Sequence, residues 1–435
     1  MRQPDKIGRD RIRRDRIRRI GVGLALGIVG IAAVACSPKA PEREPAELPY
    51  AAEYPGVGYG SNEARGDLGS LAERVAAGTT GFAYDPDRGY LDAVLADLGI
   101  DVASQVLVFS RTSLQTNRIG PQTPRAIYFN DDTYVAWVPK APALELSAYD
   151  PSLGPVFYRL THTADDMPYM ERQLGTCLRC HDTYGLAGGG VPRFLLGSGY
   201  IGTDGEIVSH EAWILTSQAT PLRNRWGGWY VTGGSGSQVH LGNIVVEHPE
   251  DLQDLEALRI GNVDDLGSLL DTSRYLTPYS DIVALMILEH QVEVQNLISR
   301  LRFEADSAAG ATLGPHVDAL VQAMLMDDEV ALTDTISGSS GFSEYFEALG
   351  PFDQAGRSLR ELDLETRLFR YPLSYLIYSD AIAQLPDAAR TAVYARLREI
   401  LAGSPEEDDF AGLSVADRTA ISEILHDTLP AVFDP

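Results

Sequence analysis

The segment GTCLRCHDTYG, residues 175–185, limits the architectures open to this chain more than any other stretch, spending two of the three cysteines found in 435 residues. Two thiols spaced as C-x-x-C and followed at once by histidine suit covalent haem attachment. Each thiol can add to a haem vinyl group, and the adjoining imidazole is placed to bind iron. On this reading Cys177 and Cys180 are thioether links, His181 is an axial ligand, the cofactor is one covalent haem c, and the fold must supply a wall for a flat porphyrin. A disulfide or a redox-active C-x-x-C shares the cysteine spacing but leaves the histidine unexplained. Structural zinc wants four nitrogen or sulfur ligands, and Cys36 is the one cysteine left to offer.

The amino terminus supplies the compartment. Residues 1–19 carry nine basic side chains against three acids, and IGVGLALGIVGIAAVA, residues 20–35, is uncharged. Sixteen residues of helix rise about 24 Å, short of the roughly 20 residues that a membrane core demands, so the pattern reads as a cleaved export signal. Ala33 and Ala35 lead into Cys36 as in a lipobox, with alanine where leucine is usual, so residues 1–36 form a lipoprotein-type signal ending at a lipidated Cys36. Residues 37–66, rich in proline and glutamate, read as a tether. The expected location is the periplasmic side of a bacterial membrane, with lipid as the only anchor; without lipidation the chain would be periplasmic or secreted and Cys36 a stray thiol.

The whole chain has 36 basic and 61 acidic residues, a net charge of −25; removing nine and three leaves 27 against 58, or −31. That charge disfavours nucleic acid and anionic membranes as partners, and it favours a redox partner with a basic docking face.

Periodicity divides the remainder. QVLVFS (105–110), RAIYF (125–129), TYVAWV (133–138), LELSAY (144–149) and PVFYRL (155–160) are rich in β-branched and aromatic residues and read as strands, separated in places by the turn signals NDD and DPSLG. A short helix is expected to end in the cysteines; FLLGSGYI, EAWILT and GWYVTG read as further strands. Beyond residue 250 the period becomes helical, at 281–303, HVDALVQAMLM, YPLSYLIYSDAIAQL and TAVYARLREIL. The expected fold is α+β: a β-rich haem-binding domain over 67–250, then an α-helical domain over 251–435.

The strings SRTSLQTNRIGPQTPRAIYFNDDTYVAWVP, CLRCH, PLRNRWGGWYVTGGSGSQVHLGN and ETRLFRYPLSYLIYSD resemble those of bacterial exported proteins described only as cytochrome c domain-containing. The resemblance spans most of residues 105–400 and implies haem c without implying a reaction. In that family the glycine-rich loop often holds histidine where this chain has Ser235 and methionine where it has Leu241, which leaves His240 as the loop's strong iron donor. The layout of strands and helix around one C-x-x-C-H also resembles haem-binding sensor domains of PAS type, by layout alone.

The sixth iron ligand separates the functional classes, because His/Met or bis-His ligation transfers electrons whereas an open position binds small molecules. His240 leads, His290 follows, and Met167, Met170, His162 and His210 are weaker candidates. Trp226 and Trp229 are candidate pocket walls, and Arg223 and Arg225 candidate partners of the haem propionates. Glu289 and Glu293 read as an ordinary solvated helix face. The leading expectation is a tethered periplasmic monohaem cytochrome that transfers single electrons, a carrier ahead of a catalyst. The alternatives are a haem-based sensor or small-ligand module, and a haem enzyme such as a peroxidase.

Overall fold

The computed structural model describes residues 58–433 except 162–166, 183–189, 255–257, 307–311, 404–409 and 411. The basic and apolar amino terminus, Cys36, residues 37–57 of the tether and His162 lie outside the described residues.

Six strands form an antiparallel meander in which each pairs with the next: β1 (Val106–Val108), β2 (Arg125–Phe129), β3 (Thr133–Trp137), β4 (Ala143–Asp150), β5 (Gly154–Thr161) and β6 (Tyr169–Arg172). The turns follow from their side chains. Between β2 and β3 the Asn130 carboxamide oxygen accepts from the backbone N–H of Thr133 at 2.9 Å. Between β4 and β5, Asp150 Oδ1 accepts from Ser152 and Leu153 at 2.8 and 2.9 Å, and Gly154 takes the left-handed φ of 74° that closes the turn. Register aligns Phe129, Tyr134, Ser147 and Phe157 in one row across β2 to β5. That row is the surface on which the elements below are mounted.

The helices are α1 (Gly66–Ala76), α2 (Leu91–Asp97), α3 (Gly175–His181), α4 (Ile282–Asp306), α5 (Gly314–Met324), α6 (Phe342–Ala348), α7 (Asp380–Ala383), α8 (Asp387–Ala402), α9 (Val415–Thr428) and α10 (Pro430–Phe433). The chain is therefore α+β. Asp281 opens α4 by accepting from the N–H of Val283 and Ala284. The helix then packs against β5, α5, α6, α7 and α8, so it is buried on most of its circumference, including Glu289, His290, Gln291, Gln295 and Ser299. It holds the sheet through Tyr134, whose hydroxyl donates to Gln295 Oε1 at 2.6 Å and accepts from Gln291 Nε2 at 2.7 Å. Val135, Leu146 and Leu160 share one hydrophobic core with Ile298, Leu301 and Phe303, and the described residues fall within one compact unit. Among them, no helix is long and apolar enough to cross a membrane.

Four segments depart from the sequence reading. FLLGSGYI and EAWILT shrink to the two-residue pair β7 (Gly197–Ser198) and β8 (Ile214–Leu215). GWYVTG is not a strand: Trp229, Thr232 and Gly233 make isolated bridges to Val108, Asp281 and Val263. The cause is glycine geometry, with φ of 88° at Gly228 and 112° at Gly233. YPLSYLIYSDAIAQL is not one helix either. Ser374 and Ser379 each accept a backbone N–H, from Leu376 and Ile382, and so cap two separate short turns.

Candidate functional site

Helix α3 follows β6 directly and carries the C-x-x-C-H at its end. Positions i, i+3 and i+4 share one helical face, so Cys177, Cys180 and His181 lie on the same side of α3. Leu178 is fully buried and seats the helix on the core, while Cys177 is half-buried against that core and Cys180 is exposed.

The imidazole is the most tightly defined group. His181 Nδ1 lies 2.7 Å from the carbonyl oxygen of Arg193, and the N–H of Arg193 donates to the carbonyl of His181 at 2.9 Å. A carbonyl only accepts, so Nδ1 carries the proton and the Nε2 lone pair is left for another partner. The ring packs against Phe157 of β5 with centroids 4.4 Å apart. Burial, joined by the charge of Arg125, lowers its pKa to about 4, despite the opposing hydrogen bond to Arg193. The imidazole is therefore neutral at neutral pH. Burial likewise pushes the Cys177 thiol up to about 12, aided by Glu145 and Cys180. It stays protonated, unlike the low-pKa thiolate of a redox-active C-x-x-C.

The segment after the motif is locked to α4. Asn296 Oδ1 accepts from the N–H of Phe194 at 2.8 Å, and its Nδ2 donates to the Phe194 carbonyl at 2.9 Å. Phe194 in turn packs on Tyr134 and Phe157. Sheet, α3 and α4 thus meet at the residues next to Arg193. Phe157, Arg193 and Asn296 escaped the sequence reading; PRF after the glycine-rich AGGGV was the available signal.

The other predicted site residues gather elsewhere. Arg225 is buried and paired with Glu289 at 3.1 Å, with its remaining donors on the carbonyls of Thr220 and Gln218 at 2.6 and 2.7 Å. Glu289 and its neighbours are therefore no solvated face. Arg223 is exposed. Trp226 lies edge-on to His240 at 5.3 Å, and Trp229 Nε1 donates to the carbonyl of Gly197 at 2.9 Å. His240 Nδ1 accepts from the N–H of Gly242 at 3.0 Å, which places the ring proton on Nε2 and spends its lone pair. His290 has both nitrogens engaged, Nδ1 with Gln218 Oε1 at 2.7 Å and Nε2 with Ser374 Oγ at 2.8 Å. Burial lowers the pKa of His240 to about 4 and of His290 to about 3. Met170 sits in the core on β6, Met167 is exposed, and His210 is exposed in a short turn.

Among the described residues, no group of three or more His, Cys, Asp or Glu side chains converges as a metal ion would require. No protein-family model, curated protein or solved structure matches this chain.

Proposed function

We propose that this chain is a monohaem c-type cytochrome, exported and held by lipid at Cys36, that passes single electrons to or from a periplasmic partner with a basic docking face. The observation that carries the reading is the hydrogen bond from His181 Nδ1 to the Arg193 carbonyl, because it leaves a neutral imidazole whose Nε2 lone pair is uncommitted among the described residues and could bind iron. The donor chemistry fits: two thiols one helical turn apart, that of Cys177 held protonated, and an oriented imidazole on the same face. Cys177 and Cys180 would hold the haem through thioethers, His181 would be its axial donor, and the bound haem would supply a one-electron iron couple. The chain's own contribution is to keep His181 neutral, fix its tautomer and hold the ring against Phe157.

A second reading, a small-ligand sensor or haem enzyme, is favoured by one specific observation: neither His240 nor His290 has an uncommitted lone pair. Carbon monoxide added to the reduced full-length protein separates the two. An unchanged spectrum supports the electron carrier, and a rapid carbon monoxide complex supports the open sixth position.

A further inference from the structure

We propose that Arg193 binds a propionate of the haem, the role that sequence alone gives to Arg223 and Arg225. This inference rests on the haem reading of Cys177, Cys180 and His181. Arg193 is tied to His181 by two hydrogen bonds, its carbonyl accepting from the imidazole Nδ1 at 2.7 Å and its N–H donating to the His181 carbonyl at 2.9 Å, so its Cα is fixed beside the site rather than merely near it in sequence.

Its side chain is electrostatically incomplete. The Arg193 Nε is buried, and among the described residues it has no hydrogen-bond partner. Burial disfavours its charge first, the like charge of Arg300 on α4 adds to that, and Arg300 is itself paired with Glu304 at 3.5 Å. Asp182, the nearest acid in sequence to the motif, is turned to the backbone N–H groups of Gly190 and Val191. In a chain with 61 acidic and 36 basic residues, a half-buried arginine facing another cation instead of a carboxylate is anomalous. Burying an uncompensated charge is costly, and a carboxylate approaching a guanidinium in two-pronged geometry removes that cost. Arg225 cannot serve, because all three of its nitrogens are already engaged.

The test uses the full-length haem-loaded protein and three variants, Arg193→Gln, Arg193→Lys and Arg223→Gln. Haem staining of denatured protein reports attachment, and a spectroelectrochemical titration reports the midpoint potential. Arg193→Gln should keep wild-type staining and shift the reduction equilibrium about tenfold toward the ferric form, about 59 mV downward for one electron, because a cation near the iron favours the reduced state. Arg193→Lys should shift it less, since the charge remains and only the fork is lost. Arg223→Gln should leave it unchanged. A stained Arg193→Gln with wild-type potential overturns the inference, as do equal shifts in the Gln and Lys variants, which would mark a packing role. If Arg193→Gln does not accumulate, Arg193→Lys is read alone, and an unchanged potential overturns it. Absence of staining in the wild type overturns the haem reading itself, a result distinguishable from the others.

Discussion

The carbonyl of Arg193 fixes the tautomer of His181, twelve residues earlier, across a 2.7 Å hydrogen bond. The same device is absent from His240, whose Nδ1 is an acceptor, so the half-buried His181 and the buried His240, of similar pKa, are opposite in what they can donate. This difference in tautomer, rather than position in a glycine-rich loop, decides which imidazole suits iron.

His240→Ala should therefore leave the spin state and absorption spectrum of the haem-loaded protein as in wild type. It should cost stability, about 2–3 kcal/mol, through the lost contact with Trp226 and the cavity left behind. Denaturant unfolding alongside an electron paramagnetic resonance spectrum checks both. A change from low to high spin would contradict the assignment of its lone pair.

The pair Arg225–Glu289 is nearly fully buried, so removing one partner strands the other. Arg225→Met should destabilise the fold by about 3–5 kcal/mol, with less effect in the double variant Arg225→Met, Glu289→Leu. Chemical denaturation of both variants measures the difference. Haem content of the folded fraction should not fall, because Arg225 serves the core and not the motif.

Glu293 gives a prediction of opposite sign to the histidines. Burial, with Asp328 and Glu289 nearby, raises its pKa from 4.5 to about 7. A carboxyl raised on folding contributes stability below its unfolded value, and that contribution is lost as pH rises through the folded value. Glu293→Gln should thus match wild type near pH 4 and exceed it at pH 8 by about 1 kcal/mol, a figure discounted for partial exposure. Melting curves at the two pH values test the crossover. The histidines act on the acid side. The pKa values of His181, His240 and His290 are depressed from 6.5 to about 4, 4 and 3, so their contribution is complete above pH 6.5 and lost as pH falls through that window.

Strands β2 to β5 were legible in the sequence because β-branched and aromatic composition and turn chemistry are local, as at Asn130 and in DPSLG. The C-x-x-C-H was legible for the same reason: its three groups lie within one turn and a half of helix. What stayed hidden depends on distant pairing. Glu289 and His290 read as a solvated face and an optional ligand until Arg225, Gln218 and Ser374 meet them from 64, 72 and 84 residues away. Arg193 was hidden likewise, since its importance comes from the chain folding back onto His181. GWYVTG misled because its aromatic and branched residues favour a strand while its glycines bend the backbone out of one.

The central claim is covalent haem at Cys177 and Cys180, and haem-dependent peroxidase staining of the denatured full-length protein tests it most directly. The expected result is one stained band at the position of the chain, retained after acid-acetone extraction and lost in the Cys177→Ser, Cys180→Ser double variant. An unstained wild-type band from cells competent in cytochrome c maturation, or colour that leaves with acid-acetone, would contradict it.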